Sequence, residues 1–264
     1  SVLCGSDKYP CKDPFVELAK GSLNTFLNAM TYPDKTVYPI ASCNDKDFEN
    51  LMGVYLDAVF YPNMRHEEKI FRQEGWHYEL TDPDGELTYN GVVYNEMKGV
   101  YSSADGILER SVGKVLYEGH TYGEESGGDP DNIPDLTYEA FRDFHARYYH
   151  PSNSYIYLYG NCDMDAMLEK IDEEYLSQFD RISIDSAIPL PKMWDKPKDE
   201  TFEYSILESE SEDNKAILSW HAAIDCELDA IEAIGMQILD YVLLDVPGAP
   251  LREAIISAGI GEDV

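Results

Sequence analysis

The 264 residues carry 51 acidic and 20 basic side chains, a net charge of −31, with 44% apolar and 12% aromatic residues. Twenty tyrosines and that apolar share belong to a folded chain rather than a disordered acidic one, and the length suits one large domain or two smaller ones. Clustered Lys and Arg are lacking, which argues against nucleic acid and anionic membrane surfaces as partners, and no apolar run approaches the roughly 18 residues of a membrane span.

Taken in chain order, Thr36-Val37-Tyr38-Pro39-Ile40-Ala41 reads as a strand. Pro39 cannot donate to a ladder, which puts it beside an edge or a bulge. In residues 44–60, Phe48, Leu51, Met52, Tyr55, Leu56 and Val59 recur at one helical face. Asn44 is a candidate N-cap, with Asp47 three residues on in the manner of a capping box. Asp82-Pro83-Asp84-Gly85 marks a turn between Glu79-Leu80 and Glu86-Leu87. Val92, Val93, Met97, Val100 and Tyr101 have helical spacing, and a further helix starts at Thr137 with Phe141, Phe144, His145 and Tyr148 as its stripe. His150-Pro151-Ser152-Asn153 breaks that helix, Tyr155–Tyr159 reads as a strand ending at Gly160, and a helix covers about 163–177.

Residues 184–200 hold Pro189, Pro191 and Pro197 with no period, the composition of a linker. The run Glu208-Ser209-Glu210-Ser211-Glu212-Asp213 suits a solvated loop. Ala216–Trp220 then reads as a strand and 228–244 as an apolar helix. Helices and strands interleave without the alternation of a parallel fold, so an α+β layer with helices packed on a mainly antiparallel sheet is expected. Pro250-Leu251-Arg252-Glu253 faintly echoes Pro14-Phe15-Val16-Glu17, as in a tandem repeat whose second copy is truncated. The expected division is a first domain over 1–183, the linker 184–200, and the start of a second α+β domain over 201–264. The abrupt start at Ser1 and stop at Val264 read as cuts.

Spacing alone names no active site. None of the six histidines pairs at i, i+4, so no helix offers the two imidazoles of a zinc peptidase, and His145 and His150 suit packing or capping. The five cysteines are scattered and odd in number, as reduced thiols in a cytosol-like compartment would be. No Gly-x-Ser-x-Gly elbow and no phosphate loop occurs, and Ser126-Gly127-Gly128-Asp129-Pro130 suits a turn.

As strings, however, several segments resemble one family. They are Ser1-Val2-Leu3-Cys4-Gly5-Ser6, Leu27-Asn28-Ala29-Met30-Thr31, Tyr38-Pro39, Phe71-Arg72-Gln73-Glu74-Gly75-Trp76, Val93-Tyr94-Asn95-Glu96-Met97-Lys98-Gly99, Ser126–Pro130 and Tyr149-His150-Pro151-Ser152-Asn153. In family order, they resemble the presequence-protease branch of the insulinase/pitrilysin zinc metallopeptidases. The resemblance implies a clamshell enzyme of repeated α+β domains that degrades unstructured peptides in a closed chamber. It also implies zinc held by His-x-x-Glu-His and a distant Glu, with the motif's own Glu as general base.

Of those residues only the distant Glu is here, at Glu96, which periodicity alone would make a solvated residue but which as a ligand should point inward and, without its metal, be partly desolvated; the His-x-x-Glu-His string of the family would precede Ser1. The isolated chain is therefore expected to hold no stoichiometric zinc and to be inactive, its partners being peptide substrates and the missing C-terminal half of the same enzyme. The first residues are expected to begin as the stump of the metal helix, leaving apolar surface near Leu3. Asn28 and Ala29 match the family strand that pairs with substrate backbone, and Glu74 is a candidate support for the metal site. A rival reading is a non-catalytic structural or partner subunit of the same superfamily; another is an unrelated acidic interaction module. The expected location is cytoplasmic, with the mitochondrial or plastid matrix as the alternative.

Overall fold

Asn44 opens the longest helix, as its spacing predicts. The computed structural model describes residues 1–224 and 229–259. The Asn44 Oδ1 accepts from Asp47 N at 3.0 Å, and helix α2 runs Asp45–Phe60. The reciprocal half of a capping box is not made, because the Asp47 carboxylate accepts instead from Leu23 N at 3.1 Å. Leu51, Met52, Tyr55, Ala58 and Phe60 are buried, and each large side chain contributes about 1.5–3 kcal/mol relative to exposure.

The described residues form two units, Ser1–Pro189 with Trp194–Ile217, and Leu190–Met193 with Leu218 onward. The first opens with a single turn closed by Cys4 N on Ser1 O, with Val2 buried and Leu3 half-buried on it. The apolar surface expected near Leu3 is thus largely covered. Helix α1 spans Pro14–Gly21, capped by Asp13.

Next comes an antiparallel hairpin. Strands β1 (Asn24–Leu27) and β2 (Met30–Thr31) pair with β4 (Ile40–Ser42) and β3 (Thr36–Val37). Leu27 faces Ile40 and Met30 faces Val37, so both pairs share one register, with an irregularity between Asn24 and Phe26. The expected strand 36–41 is therefore divided at Tyr38-Pro39, where proline lacks the donor a ladder needs. Tyr32 N donates to Lys35 O at 2.8 Å to close the turn.

Helix α3 (Glu68–Glu74) leads to a second hairpin of β5 (His77–Glu79) and β6 (Thr88–Asn90), turned at Asp82–Gly85 as its Pro and Gly predict. Then follow α4 (Val92–Val100), α5 (Ala104–Leu116), α6 (Tyr138–Tyr148) and α7 (Met164–Glu174). Thr137 caps α6 through Ala140 N, and His145 on its stripe is buried. Phe144 stays 59% exposed, its ring tilted against that of Tyr148. The helix expected over 163–177 ends at Glu174, and Tyr175 behind it is buried, its hydroxyl donating to Gly53 O at 3.0 Å.

Two buried clusters hold this unit. Phe71, Trp76, Met97 and Ile133 form one, and Val2, Ala58 and Met64 the other; Phe141 packs against both.

The architecture is α+β, with the strands in three two-stranded antiparallel pairs. Two expected strands do not form: Tyr155–Tyr159 and Ala216–Trp220 have no ladder partner among the described residues. The alternation in the first is real, since Tyr155, Tyr157 and Tyr159 are 103%, 83% and 85% exposed while Ile156 and Leu158 are less so. A strand, unlike a helix, also needs a neighbour to bond to. The second unit holds α8 (Ala230–Asp240) with a capping box of Asp229 and Glu232, a π-type turn over Tyr241–Asp245, and α9 (Pro250–Ala258). The expected start of its first helix at 228, like Cys226, lies outside the described residues.

Candidate functional site

Three of the distinctive strings meet at α4, one of them forming the helix itself. Phe71 and Trp76 of one string bury Met97 of another, and Ile133 completes the cluster. The Trp76 indole donates to Leu136 O at 3.0 Å, which fixes the ring edge while its face packs. Gly127 of the Ser126–Pro130 loop lies against the Met97 sulfur, where a Cβ would displace the methionine side chain, so glycine lets this loop close directly over α4. The start of α4 is set the same way. Tyr94 N donates to Gly75 O at 3.4 Å, and a Cβ on Gly91 would overlap that carbonyl.

The same loop is held by charge. Arg110 pairs with Glu125 at 2.7 Å and Lys114 with Asp129 at 3.0 Å, and the Arg110 guanidinium lies 4.5 Å from the Tyr101 ring centroid. Burial opposes ionisation of Asp129. Bonds from Lys114, Asp131 N and Tyr101 outweigh it and hold the carboxyl below its usual range. Tyr101 shifts the other way, raised by its own burial and by Asp129.

On this helix Glu96 is exposed, not partly desolvated as the resemblance implied for a metal ligand, while its neighbour Met97 is buried. The apolar face expected for the segment is narrower than its spacing suggests, because Val92 is 53% exposed. Glu74 ends α3 beside the start of α4 and is half-buried.

Asn28 and Ala29 stand apart from this cluster, between β1 and β2. Asn28 N donates across to Pro39 O at 3.2 Å, so its main chain faces the partner strand. Alternation then turns the Ala29 N–H toward the free edge of the pair. That N–H is not open, because it donates to the Asn28 side-chain oxygen at 2.8 Å. Neither β1 nor β2 has a second strand neighbour among the described residues. The edge can take an added strand whose carbonyl replaces the Asn28 oxygen.

Among the described residues no three His, Cys, Asp or Glu side chains are grouped to hold a metal ion. The described residues do not by themselves fit a zinc site; Glu96 is a single carboxylate, and tetrahedral zinc takes three or four protein donors. Of the histidines, His145 packs in the core and His150 accepts from Ser152 N at 3.0 Å, the packing and capping roles their spacing suggested. No helix among the described residues is long and apolar enough to cross a membrane.

Sequence reasoning missed the role of His120. Its Nδ1 accepts from Tyr122 N at 3.2 Å and its Nε2 lies 2.7 Å from Pro189 O. Nothing in the spacing of an isolated histidine signals a contact 69 residues away.

Comparison with known proteins places these features. The profile of the family described as "Peptidase M16 inactive domain" matches residues 135–264. A protein of Clostridium perfringens called HypA is 56% identical over the whole chain, which covers 27% of it. Presequence protease 1, chloroplastic/mitochondrial, of Arabidopsis thaliana is 47% identical over 99% of the chain and 24% of its own length. The mitochondrial presequence protease of Mus musculus is 42% identical over the full chain, 26% of its own length. The chain spans about a quarter of the length of the curated relatives it matches.

Proposed function

The chain belongs to the M16 peptidase family, in the presequence-protease branch, and from that premise we propose that it is one part of a zinc-dependent endopeptidase for unstructured peptides. In this reading the enzyme works as a clamshell, and the 264-residue chain alone is inactive. What supports it is the placement of Glu96, exposed on a helix held by Phe71, Trp76, Ile133 and Gly127. A carboxylate that completes a metal site built with donors from elsewhere must be reachable and must stand on a fixed element. Zinc, when bound, supplies a water acidified for attack on a peptide bond. This chain's contribution would be the one ligand Glu96, with Glu74 orienting its surroundings.

Peptide is captured, in the same reading, by strand addition at Asn28 and Ala29, where main-chain bonds recognise backbone whatever the side chains. The tandem organisation, with a first domain over 1–183 and a second copy beginning after the linker 184–200, belongs to the proposal too. So does location. The relatives named for mitochondrion or chloroplast support the organelle matrix, and HypA, whose name carries no organelle, is compatible with the cytoplasm.

The rival, a non-catalytic subunit of the same superfamily, finds support in the inactive-domain description of the match over 135–264. The test uses the full-length protein that carries this chain. Glu96→Gln keeps size and removes charge, so zinc content and peptide cleavage should fall together, by about 10-fold or more. Unchanged zinc and cleavage would overturn the role of Glu96. A full-length protein that binds no zinc and cleaves nothing would establish the rival.

A further inference from the structure

The stretch from Pro189 to Lys198 has the composition of a free linker, yet it is fastened at three points to the end of α5. The Trp194 indole donates to Leu116 O at 3.0 Å, satisfying one of the carbonyls a helix leaves unpaired at its C-terminus. Lys198 Nζ bonds Glu118 at 2.8 Å and sits 3.6 Å from the Trp194 ring centroid. His120 holds Pro189. Because its Nδ1 accepts a backbone N–H, the ring proton resides on Nε2, which donates to the Pro189 carbonyl.

His120 is also the near end of a second contact. The Tyr122 ring packs on it at 5.1 Å between centroids and on Tyr117 at 6.2 Å. The Tyr122 hydroxyl donates to Asp34 Oδ2 at 3.1 Å. Asp34 lies in the turn Tyr32–Lys35, at the tip of the hairpin that carries Asn28 and Ala29. One residue, Tyr122, thus bonds the hairpin tip with its side chain and His120 with its backbone, and His120 bonds the strap.

We infer that Tyr122 and His120 couple the hairpin tip to the strap formed by Pro189 and residues 194–198, so that ordering one end orders the other. Resting on the reading that Ala29 takes a peptide strand, the inference adds a consequence: capture of peptide at the hairpin tightens the strap. The contacts form a continuous chain of bonds and packed rings, the physical route by which such coupling travels.

Hydrogen exchange on the full-length protein that carries this chain tests it. Tyr122→Phe removes the Asp34 bond and keeps the ring; Trp194→Phe removes the Leu116 bond and keeps a ring. The expected result is reciprocal: Tyr122→Phe speeds exchange at 194–198, and Trp194→Phe speeds it at 34–36. Each change should be at least about twofold, the lower end of coupling between contacting residues. Effects confined to the mutated end in both variants would overturn the inference. Should Tyr122→Phe loosen α2 as well, Asp34→Ala at the exposed tip, which removes the acceptor, is read in its place, with the same two outcomes.

A short unstructured lysine-rich peptide supplies the second arm, in the unmodified protein. Slower exchange at both Ala29 and 194–198 supports the coupling. Slower exchange at Ala29 alone overturns it and leaves peptide capture standing. No protection at Ala29 overturns peptide capture, and the variants alone then decide the coupling.

Discussion

The hydroxyls of Tyr38 and Tyr149 meet at 2.9 Å, tying the hairpin that carries Asn28 and Ala29 to the C-terminal end of α6. Both rings pack on the Val2, Ala58 and Met64 cluster. Burial, and then the neighbouring phenol, push ionisation of Tyr38 far above its ordinary range, so the Tyr38 hydroxyl keeps its proton at any working pH. Tyr149→Phe should cost about 1–2 kcal/mol, because it leaves the buried Tyr38 hydroxyl without its partner. Tyr38→Phe combined with Tyr149→Phe should cost less than that single change, since no unpaired hydroxyl remains. Urea unfolding of the three variants measures the difference; a double variant less stable than the Tyr149 single variant would refute the pairing.

His145 stacks on that same Tyr149, with ring centroids 4.5 Å apart, and its Nε2 lies 2.9 Å from Val59 O. Burial, with help from Arg65, lowers its pKa to about 4 against the opposing pull of the Val59 carbonyl. The folded state therefore binds fewer protons than the unfolded one between about pH 6.5 and 4. Stability is fully present above pH 6.5 and is lost as pH falls through that window, by an amount on the order of 3 kcal/mol from this group. His145→Gln does not titrate there. Denaturant midpoints measured from pH 7 to 4 should fall less steeply in the variant, and equal slopes would exclude His145 as the source.

Gly91 places α4 against the Gly75 carbonyl with no room for a side chain. Gly91→Ala should destabilise the chain by about 2 kcal/mol or more, since the added methyl must push the end of α3 and the start of α4 apart. Thermal unfolding tests this directly. Gly21, which has open space where its Cβ would be, is the control, and Gly21→Ala should differ little.

The bond from Ala29 N to the Asn28 side chain occupies the outward N–H of the hairpin edge. Asn28→Ala exposes that N–H to water, so exchange at Ala29 should quicken while exchange at Leu27 and Met30 holds. An unchanged rate at Ala29 would mean that the Asn28 oxygen does not guard the edge in solution.

Local signals in the sequence went furthest. Asn44, Thr137 and Asp163 each accept from a backbone N–H within their own first turn. A cap and an amphipathic stripe act within four residues, so the helices they open are legible without knowing what surrounds them. The turn at Asp82–Gly85 is equally local, and the strings that mark the family, being strings, were readable as they stood.

Tertiary structure decided what depends on a distant partner. Tyr155–Tyr159 carries the alternation of a strand, but a ladder needs a neighbour, and none lies beside it among the described residues. Thr36–Ala41 is divided because Pro39 has no N–H to give. The segment 184–200 reads as free linker, yet the indole of Trp194 and the imidazole of His120 fasten part of it to the end of α5. Glu96 was nameable from its string. Its exposure was settled by Phe71, Trp76, Ile133 and Gly127, which bury Met97 and so turn the adjacent carboxylate outward. Hydrogen bonds and packing between residues far apart in the chain have no fixed spacing, which is why periodicity could not show them.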